Sequence, residues 1–116
     1  MRAAVDGNVQ VVQDYINSGA DLNVREEYGW TALHSASKWG KTECLSLLIK
    51  AGAELNVQDE DGWTALHFAS WNGKTECIKL LIGAGADKSI RTTKDHWLNY
   101  KAGSRAIDIA KKKEKT

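Results

Sequence analysis

The 116-residue chain has no proline, one phenylalanine, one methionine and only two cysteines. Without proline there is no polyproline segment and no stiff Pro-rich linker, and with 42% apolar and 27% charged residues the composition is that of a folded domain with a helical lean. The length suits one folding unit rather than two. No stretch approaches the ~20 consecutive apolar residues of a membrane-spanning helix, so neither a membrane anchor nor a signal peptide is expected. Cys44 and Cys77 show no CxxC or Cys/His spacing. No zinc site, disulfide framework or cofactor is therefore expected, both thiols should be free, and a cytoplasmic or nuclear setting follows as the default.

Net charge is also nearly absent, at +1, but it is unevenly distributed. Residues 1–87 carry seven basic and twelve acidic groups, and residues 88–116 carry nine basic and three acidic groups, giving net −5 and net +6. Each part presents a field of its own to a partner.

The chain is also rich in internal repetition. Residues 26–58 and 59–91 are identical at 20 of 33 positions, including Gly29-Trp30-Thr31-Ala32-Leu33-His34 against Gly62-Trp63-Thr64-Ala65-Leu66-His67. Gly7, Gly40 and Gly73 keep the same spacing, as do Gly19, Gly52 and Gly85, so a leading unit covers about residues 1–25. A fourth unit, residues 92–116, repeats the pattern from Gly103 through Ala110, but eight residues late. The period places this insertion between Arg91 and Gly103, because a solvent-facing loop lengthens at small cost while a packed helix would rotate its apolar face out of the core. Its two aromatics and leucine are suited either to capping the last helix or to extending a binding surface.

Within each unit Thr31 or Thr64 is the N-cap of a short first helix on which Leu33, Ala36 and Ser37 share a face. Gly40 and Gly73 end it, a second apolar stripe runs through TECLSLLIKAG and TECIKLLIGAG, and Gly52 and Gly85 end the second helix. The stripe leads us to expect Leu47, Leu48, Leu80 and Leu81 to be largely buried.

These motifs closely resemble the ankyrin-repeat family, whose G-x-T-P-L-H-x-A, Gly, Leu-Leu and G-A-D pattern is matched along almost the whole chain. Alanine (Ala32, Ala65, Ala106) stands where the family usually has proline, which loses a preset backbone angle but keeps helix propensity. The resemblance implies an all-α solenoid of stacked helix-turn-helix units with short β-hairpin or loop fingers, forming a single domain over residues 1–116. A lone helix pair cannot bury its apolar face, so stacking is obligatory. The resemblance also makes His34 and His67 structural, tying one unit's loop to the next.

Neither histidine has a nucleophile and carboxylate recurring beside it, so no catalytic or metal-binding role is expected. Asp59, Glu60 and Asp61 read as an exposed acidic run. Lys111, Lys112, Lys113 and Lys115 suit a soluble helix terminus. They also leave open an alternative function, binding of nucleic acid or another polyanion through the basic C-terminal region, with Trp97 and Tyr100 as stacking surfaces.

Ankyrin proteins usually hold partners on the finger tips and the concave side of the first helices. Mapped by resemblance, that surface comprises Glu27, Tyr28, Trp30, Lys38 and Trp39 in one unit and Glu60, Asp61, Trp63, Trp71 and Asn72 in the next, with Trp97 and Tyr100 in the inserted finger. Four of the five tryptophans fall at positions that vary within the family, and exposed aromatics are enriched at binding hot spots. The expected function is a non-enzymatic adaptor, monomeric alone, that grips a protein or peptide of unknown identity.

Overall fold

Residues 6–94 and 102–114 are described by the computed structural model, with side chains described through Lys111. The helices are α1 (Val9–Asn17), α2 (Ala32–Lys38), α3 (Thr42–Lys50), α4 (Ala65–Asn72), α5 (Thr75–Gly83) and α6 (Ala106–Glu114), with a short 3-10 turn at Glu27–Gly29. They form two rows. In the inner row α2 packs on α4 and α4 on α6, while in the outer row α1 packs on α3 and α3 on α5. The chain is thus all-α and built from stacked helix pairs.

Both expected N-caps are in place. The Thr31 and Thr64 hydroxyls accept from the backbone N–H of His34 and His67, and each imidazole Nδ1 accepts in return from the threonine N–H, at 3.1 and 3.0 Å. Gly73 closes α4 in the left-handed region, at φ 75°, where a residue with a Cβ is strained. The inner helices α2 and α4 are covered on nearly every side, so all of Ala32–Lys38 is buried, whereas the outer helices are amphipathic. Leu48 and Leu81 are fully buried, but Leu47 and Leu80 are only half-buried because they sit at the margin of the stripe. Cys44 and Cys77 are free thiols inside the stack.

The fingers are turns and loops, with no strand among the described residues. Each is closed at its base by an equivalent backbone hydrogen bond: Glu26 N–H to the Trp30 carbonyl, Asp59 N–H to Trp63, and Thr92 N–H to Ser104, at 2.7–2.8 Å. Ser104 therefore stands where Trp30 and Trp63 stand, although the sequence between Thr92 and Ser104 is longer. Successive fingers are also joined, since Glu60 N–H donates to the Tyr28 carbonyl and Thr93 N–H to the Asp61 carbonyl.

The histidines complete the link between units. With Nδ1 accepting, Nε2 carries the proton, and it donates to the Trp63 carbonyl from His34 (2.8 Å) and to the Ser104 carbonyl from His67 (3.0 Å). Burial lowers both pKa values, that of His34 to about 4. The unfolded chain takes up these protons near pH 6.5 while the folded chain refuses them, so stability is full above about 6.5 and declines as pH falls toward 4. Asp59, whose pKa burial raises, opposes this decline by accepting its own proton early in the folded state. Thermal melts between pH 7 and 4 should show a loss on the order of 3 kcal/mol from His34 alone. A flat profile over that range would contradict neutral, buried imidazoles.

The approach of one finger to the next gives a second expectation. A Cβ on Gly62, at φ +84°, would lie 2.4 Å from the Thr93 nitrogen, whereas one on Gly73 would meet nothing within 4 Å. Gly62→Ala should therefore destabilise by more than ~2 kcal/mol and Gly73→Ala by about 1 kcal/mol. Urea denaturation of the two variants tests this, and equal losses would remove finger contact as the constraint.

Candidate protein-interaction surface

Phe68 is the centre from which the surface is built. It takes the place of Ser35 in the repeat, is fully buried, and meets Trp30 edge-on at 5.3 Å, Trp63 at 4.8 Å and His34 at 6.0 Å. Trp30 in turn tilts against Tyr28 at 5.5 Å, and Trp71 lies against the same cluster. The aromatics thus run continuously from a buried centre between the units to an exposed edge.

The outer end of this row is Tyr28, 56% exposed at the tip of the first finger. Its backbone lies at φ 64°, the only described non-glycine residue at positive φ. A left-handed conformation at such a residue costs about 1–2 kcal/mol. The neighbouring turn and the bond from Glu60 N–H to its carbonyl hold it there.

A second exposed aromatic, Trp39, closes α2 and is 47% exposed. Between it and Trp30 lies Lys38, its Nζ 4.8 and 4.7 Å from the two ring centroids. The two rings cover the lysine stem and favour the charge by cation–π attraction, while burial pushes its pKa down. Asn72 Nδ2–H donates to the Lys38 carbonyl at 2.8 Å, and the Lys74 ammonium to the Gly40 carbonyl at 2.8 Å, fixing this edge to the next unit. Beside it an open depression of about 480 Å³ is lined by Trp39, Lys41 and Lys74 among others.

Several sequence expectations need correction. Trp63 has no exposed surface and belongs to the core, because units on both sides cover its finger. Lys38 is buried at 6% exposure by its two flanking indoles rather than open to solvent. Trp30, Trp71 and Asn72 are half-buried, while Glu27, Tyr28, Trp39 and Glu60 are exposed and Asp61 is intermediate. Trp97 and Tyr100 lie outside the described residues.

Asp59 is likewise buried, not part of an exposed acidic run. Its carboxylate accepts from the Asp61 and Trp63 N–H groups at 2.9 and 2.8 Å and from Trp30 Nε1–H at 2.8 Å. Burial pushes its pKa up against the pull of these bonds. This organising role was missed, although Asp-x-x-Gly is a sequence signal for a side chain that caps its own turn.

Among the described residues no group of three His, Cys, Asp or Glu side chains could hold a metal. Both nitrogens of His34 and of His67 are engaged in structural bonds, which leaves neither imidazole available as a base. Among the same residues no helix is long and apolar enough to cross a membrane.

A family model described as ankyrin repeats (3 copies) matches residues 1–92. A 46-residue segment, 40% of the chain, is 41% identical to protein phosphatase 1 regulatory subunit 12A of Mus musculus and equally to that of Rattus norvegicus. The segment spans only 4% of the length of those proteins. With the repeated Thr-x-x-His boxes, the two rows of helices and the family match over most of its length, the chain belongs to the ankyrin-repeat family.

Proposed function

We propose that the chain is a non-enzymatic interaction module that grips a protein or peptide across the aromatic row and finger tips. Ankyrin repeats generally mediate protein–protein interaction. The relative's name makes it a regulatory subunit, and binding without catalysis is carried over here. The observation that carries the reading is Tyr28, a large exposed aromatic held in a strained backbone conformation at a finger tip. Strain of this kind concentrates at functional sites.

Tyr28 and Trp39 offer the accessible apolar contacts, and Trp30 and Trp71 support them from below. Glu27, Glu60 and Asp61 line the finger tips, so the complementary partner segment carries apolar anchors beside basic side chains. Lys38 and Asn72 set the positions of the indoles rather than making the main contacts.

The test is an affinity capture with the intact chain beside the Trp39→Ala variant, followed by affinity measurement for the partners the variant loses. Trp39→Ala should weaken binding by ~1–4 kcal/mol and leave the melting temperature nearly unchanged. Tyr28→Gly should weaken binding too while keeping or raising stability, since glycine relieves the left-handed backbone. If Lys111→Ala has the larger effect and binding falls steeply with salt, the chain is instead a polyanion binder.

A further inference from the structure

The aromatic row carries opposite charge at its two ends. At the finger tips Glu27 adjoins Tyr28, and Glu60 is held against it by the bond from its N–H to the Tyr28 carbonyl at 3.0 Å; both acids are exposed. At the far end of α2, Trp39 lines the depression of about 480 Å³ together with Lys41 and Lys74. The repeat sets both lysines in the same way, each crossing a glycine of the preceding unit. A Cβ on Gly7 would lie 3.1 Å from Lys41 Cδ, and one on Gly40 3.1 Å from Lys74 Cδ. Glu43 also lines the depression, but it stands in the first turn of α3, where the positive end of the helix dipole offsets its charge.

The two ends act separately. The seven residues of α2 hold them about 10 Å apart at ~1.5 Å per residue, more than the ~8 Å over which physiological salt screens exposed charge. A partner therefore meets each end through the group that lies directly over it, and the small net charge of the whole chain does not decide the contact.

Between the ends a cation is already in place. Lys38 Nζ sits 4.7 Å from the Trp30 centroid and 4.8 Å from that of Trp39. A partner's basic group would find one face of each indole taken and a like charge beside it, so the middle of the row favours apolar side chains and directs basic ones to the finger tips. From Tyr28 through Trp30 and Lys38 to Trp39 the steps are 5.5, 4.7 and 4.8 Å, a reach that about five extended residues cover at ~3.3 Å each.

We propose that this surface selects its partner by charge order: an extended segment whose basic side chains meet Glu27 and Glu60, whose apolar side chains cover Tyr28 and Trp39, and whose acidic side chains enter the depression beside Lys41 and Lys74. The proposal rests on the chain being an interaction module that grips through the aromatic row.

The test selects peptides from a displayed library of random segments, about twelve residues long, on the intact chain and on Trp39→Ala. Peptides that the variant loses should carry basic residues toward one end and acidic residues toward the other, about four to six residues apart, with an apolar anchor between them. Exchanging the two charged ends of such a peptide should weaken its binding about tenfold or more in fluorescence anisotropy. Lys41→Glu should weaken the original peptide about threefold to tenfold, and a peptide whose acidic end is changed to lysine should regain affinity on that variant, with the melting temperature of the protein unchanged. Glu27→Lys should do the same at the basic end. Lys74 is left in place because its ammonium donates to the Gly40 carbonyl at 2.8 Å. Trp39-dependent peptides that bind equally well with their charges in either order, or that show no such rescue, overturn the charge order and leave the interaction module standing. A selection that yields no Trp39-dependent peptide removes the interaction module, and the charge order falls with it.

Discussion

The structure depends on an imidazole that is bonded on both sides. His34 and His67 each accept the N–H of their own unit's N-cap threonine and donate to a carbonyl in the next unit's finger. The first bond fixes where the inner helix starts, and the second fixes where the following finger lies. One side chain thus converts a local helix signal into the register of the stack. The arrangement requires a neutral ring, and burial supplies that by lowering the pKa.

From this register the binding surface follows. Each finger is closed at its base by backbone bonding and stitched to its neighbour in the same way, so the finger tips are held by the units behind them. That rigidity lets Tyr28 persist at positive φ and lets Trp30 lean on Phe68, a residue from the next unit. Asp59 ties the same two units together by accepting from Trp30 Nε1–H. Helices that would be too short to persist alone are stable because each is covered by its neighbours.

Most of the fold was legible because the repeat states it two times over. Thr31, Thr64, Gly40, Gly73, Gly52 and Gly85 mark helix boundaries by their own conformational preferences, and the leucine stripes give the buried face. The surface was less legible because exposure depends on neighbours, not on residue type. Trp30 and Trp63 share one sequence context, yet Trp63 is enclosed between two units while Trp30 lies nearer the edge of the aromatic row. Lys38 would be more open to solvent beside small neighbours, and Trp30 and Trp39 close over it. Asp59 was misjudged for the opposite reason, as an acid in a loop whose donors come from its own turn and from a distant indole. Phe68, which organises the aromatic cluster, is marked in the sequence only as a break in the repeat at the position of Ser35.

The central claim concerns the state of two rings, and long-range proton–nitrogen NMR of His34 and His67 at neutral pH addresses it directly. The account predicts that in both residues Nε2 carries the proton, exchanging slowly with solvent, while Nδ1 is bare. A proton on Nδ1, or a rapid average of the two tautomers, would mean that the imidazoles do not bridge the units and that the stack is held in register by something else.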